Sequence, residues 1–450
     1  MGSAFESYFN SLKGKRILVL GLGVSNRPLV RLLLGYGCDV TGCDRTPREK
    51  LDAEVLELEK AGCKLRAGDD YLENLSADLV FRTPGMHPEN PALQGLRAAG
   101  AEVTSEMEVF FEVCPCSIIA VTGSDGKTTT TTLISEILKA AGKTVWLGGN
   151  IGTPLLPLVM QMQADHVAVV ELSSFQLMDM RRSPKVAVIT NLAPNHLDVH
   201  KDMEEYVQAK TNIFNFQIAT DRLILNADND ITAGFQGPGV TEFFSRQGKN
   251  VRIRQEGSWI VRDGERVLDV NTIVIPGVHN IENYMAAIGA VEGMVCDDVI
   301  RKVASEFGGV EHRIELVRIK NGVRFYNDSI ASSPTRTIAG LKSFAEKVLL
   351  IAGGYDKHIP YDVLGPYMVK HAKAVFLNGA TAPLIRKAVE NLPGCPELID
   401  CENFEDAVRK ADAYAKSGDV ILMSPASAAF DQFKNFMERG NFFKKLVKEL

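Results

Sequence analysis

The chain has 450 residues, 45% hydrophobic and 24% charged, with a formal net charge of −6. That length predicts about three domains of ordinary globular composition, and the acidic balance excludes a basic nucleic-acid footprint without excluding small anions held by local lysines and backbone amides. No apolar run reaches the roughly 20 residues of a membrane span, and the eight cysteines include no two CxxC pairs, which excludes the common zinc and disulfide frameworks and predicts reduced thiols in a cytoplasmic protein.

In chain order, "MGSAFESYFNSLKGKR" lacks the basic-then-apolar order of a secretory signal. "KRILVLGLG" (15–23) predicts a strand, "RPLVRLLLGYG" a helix with i, i+4 apolar spacing, and "CDVTGCD" a second strand. "GLGVSN" (21–26) is close to G-x-G-x-x-G, with Asn26 in the third glycine's place, and Asp44 ends the next strand about where a ribose-binding acid would fall. A nicotinamide dehydrogenase domain is one reading; Asn26 weakens it, because helix and strand must pack closely there. "ADLVFRTPG" (77–85) is a further strand closed by a Pro-Gly turn.

A second unit opens at "SIIAVTGSDGK" (117–127) and continues through "DHVAVVELSS" (165–174), "KVAVITNLAPNHLD" (185–198) and "DRLILNADND" (221–230). A third contains "KVLLIAGGYDK" (347–357), "AVFLNGA" (374–380) and "DVILMSPAS" (419–427). Alternating strands and helices predict an α/β protein of parallel, doubly wound sheets, with functional residues at the carboxyl ends of strands. The expected domains are 1–105, 106–309 and 310–450: a Rossmann-like first domain, a central P-loop-type ATPase domain and a Rossmann-like third domain.

The strongest local signal is "TGSDGKTT". Gly123, Ser124, Asp125 and Gly126 lie between an apolar strand and a helical pattern, so their backbone amides and those of Lys127, Thr128 and Thr129 can cradle phosphate. Lys127 would reach the outer phosphates and the Thr128 hydroxyl would ligate Mg²⁺. A glycine turn that caps a helix is the plain alternative. The loop alone does not separate a kinase, a GTPase and a ligase.

Taken with "GGNIGTP" (148–154), "ELSSFQL" (171–177), "TNLAPNHLDVH" (190–200), "HNIENYMAAIGA" (279–290), "EHRIEL" (311–316), "NDSIASSPT" (327–335), "GGYDK" (353–357) and "SPASAAFDQFKNFMERG" (424–440), the chain resembles the bacterial Mur ligases over all three expected domains. The resemblance implies an ATP-dependent acid–amino-acid ligase that adds D-glutamate to UDP-N-acetylmuramoyl-L-alanine through an acyl phosphate, in cytoplasmic peptidoglycan precursor synthesis. It implies two Mg²⁺ sites and a catalytic set of Lys127, Glu171, His196 and Lys210. Thr128, Glu171, His196 and Lys210 would be the metal residues, with Lys210 at the position of a carbamylated lysine. Read from residues alone, Glu171 also fits a helix N-terminal charge, His196 a turn residue and Lys210 a solvated helix lysine.

The resemblance further assigns the adenine to Asn283 in the central domain, and further nucleotide contacts to Arg313 and Asp328 on a third domain that must close over ATP. It assigns D-glutamate to Ser332, Lys357, Phe430 and Phe436; Phe430, Phe433 and Phe436, three apart, also fit a buried helix face. The uridine nucleotide falls to Val24, Ser25, Asp44, Arg45, Thr83 and Gly85, with Asn150 and Ser173 nearer the reacting end. Small molecules are the expected partners, with no nucleic acid, no membrane insertion and a monomeric form. The chain departs from the family pattern at Asp125, Asn195, Ile330 and Ala429. The same residues fit other readings: another Mur-type or folylpolyglutamate-type ligase, and an ATP-binding module without catalysis. The expected first domain argues against the folylpolyglutamate type, which lacks it.

Overall fold

The first apolar run becomes a strand, β1 (Arg16–Leu20), in which the four residues after Arg16 are all buried. A strand covered on both faces belongs in a parallel sheet clad by helices. In the computed structural model, which describes residues 3–194 and 199–450, β1 is central in a five-stranded sheet. Its partners are β2 (Asp39–Asp44), β3 (Lys64–Ala67), β4 (Leu79–Arg82) and β5 (Glu102–Thr104), in the order β3-β2-β1-β4-β5, parallel throughout.

The second sheet has nine strands: β6 (Ser117–Thr122), β7 (Val145–Gly149), β8 (Val167–Glu171), β9 (Val186–Ile189), β10 (Arg222–Asn226), β11 (Val240–Ser245), β12 (Ile253–Glu256), β13 (Trp259–Arg262) and β14 (Glu265–Asp269). The order is β14-β13-β12-β11-β10-β9-β6-β8-β7. Strands β6 to β12 run parallel, whereas β13 and β14 are antiparallel additions. The third sheet follows β15-β16-β20-β17-β18-β19, from β15 (Glu315–Lys320), β16 (Val323–Asn327), β17 (Val348–Ala352), β18 (Ala372–Leu377), β19 (Glu397–Asp400) and β20 (Val420–Met423). Only β15 is antiparallel to its neighbour.

The antiparallel edges differ from the wholly parallel expectation, and turn chemistry explains them. Asp263-Gly264 links β13 to β14 with φ of 52° and 87°, and Asn321-Gly322 links β15 to β16 with φ of 51° and 80°. Two successive positive φ values make a type I′ turn, whose twist suits a two-residue hairpin.

Met1–Asp269 with Glu282–Val303 form one compact unit, and Val270–Ile281 with Ala304–Leu450 a second. In the first, one apolar cluster joins both sheets, from Phe9, Leu29 and Val40 to Phe110, Leu156, Leu177 and Ile213. In the second, β17 alternates: Val348, Leu350 and Ala352 pack on one face, Leu349 and Ile351 on the other. That is the period of two for a strand buried on both sides. No helix among the described residues is long and apolar enough to cross a membrane.

Candidate active site

The phosphate loop lies at the carboxyl end of β6, which runs between β9 and β8 and is third from the β7 edge of the nine-stranded sheet. Gly126 closes it at φ 77° as the N-cap of the helix Lys127–Ala140, which buries Leu133, Ile134, Ile137 and Leu138 against the sheet. Among the described residues no side chain caps this helix, and no acid occupies its first turn. Its leading N–H groups therefore remain suited to an anion.

Neighbouring elements brace the loop. Ser124 donates its backbone N–H to the Asn191 carbonyl at 2.9 Å and its hydroxyl to the Ala193 carbonyl at 2.9 Å, with the Tyr206 hydroxyl 2.9 Å away. The Asp125 N–H donates to Asn191 Oδ1 at 3.0 Å, and the Thr190 hydroxyl donates to the Asp125 carbonyl at 2.6 Å. Lys127 folds along its own loop, donating from Nζ to the carbonyls of Gly123 (3.0 Å) and Ser124 (2.9 Å). Thr128 and Thr129 stand half-buried at the start of the helix. The amide of Asn283 accepts from the Thr130 hydroxyl at 3.2 Å and lies so near Gly126 that a Cβ there would come within 2.4 Å of it.

Glu171 ends β8 and is 1% exposed. Ser173, not Glu171, caps the short helix that follows, so the helix-terminus reading of Glu171 fails. Its Oε1 accepts from Asn150 Nδ2 at 2.8 Å, whereas Oε2 is buried without a hydrogen-bond partner among the described residues. A buried carboxylate oxygen left this way is costly, and a cation would satisfy it. The solvated reading of Lys210 fails as well. It is 2% exposed, donating to the Gly123 carbonyl at 2.9 Å and the Thr122 hydroxyl at 3.1 Å. Burial and the Lys127 charge push its pKa down to about 7, against the pull of Glu171.

Among the described residues no three His, Cys, Asp or Glu side chains gather as a metal cluster. Glu171, the Thr128 hydroxyl and, if carbamylated, Lys210 could supply oxygen donors to a hydrated Mg²⁺. His196, with the departure at Asn195, lies outside the described residues.

On the first sheet, two turns meet at the carboxyl edge. A Cβ on Gly21 would come within 2.8 Å of the Thr83 side chain, which joins the turn bearing Val24 and Ser25 to the one bearing Thr83 and Gly85. Asn26 occupies the third glycine position because its amide donates to the Gly21 carbonyl at 2.8 Å. Both oxygens of Asp44 are engaged locally, by the N–H groups of Leu22 and Thr46, each at 2.9 Å. Burial pushes Asp44 up, but these donors outweigh it and hold the carboxyl below its usual range. Val24 is exposed, as is Arg45. Asn150 holds Glu171, and the Ser173 hydroxyl donates to Gln176 Oε1 at 2.9 Å, so both have structural work besides any ligand.

In the second compact unit, parallel β16, β20 and β17 bring their carboxyl ends together. Asp328 is 4% exposed and accepts from the Ser424 hydroxyl at 2.7 Å; burial raises its pKa to about 7 despite that bond. Arg313 and Lys357 are exposed, and Ser332 is half-buried. Phe430, Phe433 and Phe436 do not share a helix, contrary to the helix-face reading, because the helix begins at Phe436 with Asn435 as its N-cap. Phe433 joins the core, Phe430 is 61% exposed against Tyr355, and Phe436 packs edge-on to His312. Sequence reasoning missed Thr190, Tyr206 and the two buried arginines Arg82 and Arg439, all of which act through distant partners.

Residues 121–291 match the Mur ligase middle domain and residues 312–427 match the glutamate ligase domain of Mur ligases. A UDP-N-acetylmuramoylalanine–D-glutamate ligase from Acetivibrio thermocellus is 51% identical over the full length of both chains. Relatives of the same name from Ruminiclostridium cellulolyticum and Clostridium botulinum are 50% and 46% identical, again over both full lengths. Among solved structures, a UDP-N-acetylmuramate-alanine ligase from Thermotoga maritima shares the fold, with a TM-score of 0.59 over 97% of this chain and 99% of its own at 18% identity.

Proposed function

The chain belongs to the Mur ligase family, and from that premise we propose that it is the ATP-dependent ligase joining D-glutamate to UDP-N-acetylmuramoyl-L-alanine in peptidoglycan precursor synthesis. The observation that carries this reading is identity of about half, from end to end, with relatives of that named activity. We assign residues 1–105 to the uridine nucleotide, 106–309 to ATP and 310–450 to D-glutamate and further nucleotide contacts. A cytoplasmic monomer is the proposed form.

A carboxylate does not acylate an amine at neutral pH, because oxide is too poor a leaving group. Phosphorylation cures this: an oxygen of the L-alanyl carboxylate bonds to the γ-phosphorus of ATP as the bond to ADP breaks. The amine of D-glutamate then attacks the acyl carbon, and inorganic phosphate departs with that carboxylate oxygen. Two anions meet in the first step, so positive charge and oriented N–H groups are the main demand on the protein.

The loop amides and the helix N-terminus after Gly126 would hold the phosphates. Lys127 would exchange its contacts with the loop carbonyls for the γ-phosphoryl oxygens. Thr128, Glu171 and Lys210, with His196, would hold Mg²⁺, which supplies charge neutralisation between phosphate and carboxylate. Asn150 would keep Glu171 oriented for that task. Carbamylation of Lys210 would replace an ammonium by an anion beside the orphaned Glu171 oxygen. Mass analysis of protein equilibrated with CO₂ tests this, and a bare amine under those conditions refutes it.

The deciding assay measures phosphate release from ATP with UDP-N-acetylmuramoyl-L-alanine while D-glutamate, L-glutamate, glycine and lysine are added in turn. Release that needs D-glutamate supports the reading. Release indifferent to the amino acid overturns it.

A further inference from the structure

Cys114 and Cys116 flank Pro115 between the helix Glu106–Val113 and β6, and their sulfurs are 3.4 Å apart. We propose that this pair is a dithiol modification site, which a hydroperoxide converts into an intramolecular disulfide. The site lies outside the ligase machinery. It stands at the amino end of β6, and six strand residues at ~3.3 Å each separate it by roughly 20 Å from the phosphate loop at the other end.

The geometry favours bond formation. A disulfide needs a sulfur separation of about 2.05 Å, so the two atoms must approach by only about 1.4 Å. The backbone is already held for it. Cys114 is extended (φ −66°, ψ 121°) and its N–H is tied to the Phe110 carbonyl at 2.9 Å, while the ring of Pro115 fixes the middle φ. A short, stiff link keeps the thiols together in the reduced protein, so little freedom is lost on closure.

The two sulfurs are also chemically unlike. The hydrogen bond between the two thiols holds Cys116 below the usual thiol range, against its burial, and Cys114 above it; N–H groups of Ala168 and of Cys116 itself add to the effect on Cys116. Cys114 is half-buried and Cys116 is 7% exposed, so a molecule as small as hydrogen peroxide is the fitting oxidant. The Met162 thioether, 4.0 Å from Cys114, completes an apolar sulfur-lined corner.

The steps balance. The Cys116 thiolate attacks a peroxide oxygen, the O–O bond breaks, and hydroxide leaves, giving a sulfenic acid. The Cys114 sulfur then attacks the sulfenic sulfur, its proton leaves with the displaced hydroxyl as water, and the S–S bond forms. One peroxide is reduced to two oxygens at the water level while two thiols are oxidised.

The test treats the full-length protein with hydrogen peroxide, alkylates the remaining thiols and weighs the peptide spanning 114–116. The expected product has lost two hydrogens and takes up no alkylating agent, whereas the exposed, solitary Cys296 gives no such internal product. Cys114→Ser should leave a sulfenic acid on Cys116 that a 1,3-dione traps, and the wild type should yield none. Alkylation of both Cys114 and Cys116 after Cys296 has been oxidised overturns the proposal. So does sulfinic acid on Cys116 with Cys114 still alkylated, and neither outcome depends on the variant's folding.

Discussion

Arg82 and Asp179, 97 positions apart in sequence, form a part-buried two-point clasp, with Nε donating to Oδ2 at 3.1 Å and Nη2 to Oδ1 at 2.5 Å. Arg82 is fully buried and also donates to the carbonyls of Thr83, Pro84, Met86 and Phe175. One guanidinium thus sets the turn after β4 against the segment that follows β8. Asp179→Ala should cost about 3 kcal/mol, because removing one partner strands a buried charge. It should also raise KM for the uridine substrate more than KM for ATP. A shifted denaturant midpoint with both KM values unchanged would assign the clasp to stability alone.

Much of the site was legible because its signals are local. Two glycines, a lysine and a threonine between an apolar run and a helical pattern leave few options other than a phosphate loop. Asp263-Gly264 and Asn321-Gly322 were equally local hairpin signals, yet the strand-then-helix rhythm around them concealed both antiparallel edges. The phenylalanines three apart misled because spacing cannot tell a helix from a loop; Asn435 three before Glu438 was the better guide, since its side chain caps the helix there. Arg82, Tyr206 and the orphaned Glu171 oxygen were illegible. Their meaning lies in partners brought by other strands.

Gly126→Ala should disable the loop through its backbone. At φ 77° a Cβ is strained by about 1–2 kcal/mol, and it would meet Asn283 Oδ1 at 2.4 Å. ATP affinity measured by calorimetry should fall at least about tenfold, since each 1.4 kcal/mol is that factor, with uridine-nucleotide binding retained. Combining it with Asn283→Ala removes the clash but not the strain, so affinity should not return to that of Asn283→Ala alone.

Lys127→Ala should lower kcat by about 10²–10³, the usual loss when a group that stabilises developing charge is removed. Binding of the uridine substrate should persist, because the first-sheet turns do not involve Lys127. Loss of that binding in a titration calorimeter would contradict the proposed separation of ATP and uridine sites.

Glu106 gives stability a pH dependence of known sign. It is 6% exposed, accepts from the Leu156 N–H at 3.1 Å, and is pushed by burial from 4.5 to about 7. As pH rises from about 4.5 to about 7, the unfolded chain releases this proton while the folded chain keeps it, so folding stability falls and then levels. Glu106→Gln retains an acceptor for Leu156 and removes the titration. Relative to wild type it should gain stability across that window, up to a ceiling of about 3 kcal/mol at 1.36 kcal/mol per pH unit. Urea midpoints at pH 4.5 and pH 8 check this, and parallel behaviour of the two proteins would contradict it.

Arg439 is the counterpart of Arg82 in the second compact unit. It is 1% exposed, and it donates to the Ser329 hydroxyl (3.1 Å) and to the carbonyls of Ala428 (3.0 Å), Ser329 (3.0 Å) and Ser427 (3.1 Å). These acceptors flank Asp328 on one side and lead to Phe430 on the other. Arg439→Met would match the volume but strand the acceptors, at about 1–3 kcal/mol for each one left unpaired. Arg439→Lys keeps the charge yet cannot present the same fork of donors. Both variants should unfold at lower temperature, Met more than Lys. Because the Ser427–Phe430 turn carries a proposed D-glutamate contact, the Lys variant should raise KM for D-glutamate while leaving that for the uridine substrate unchanged. Equal rises in both would mean that Arg439 supports the unit as a whole and not this turn.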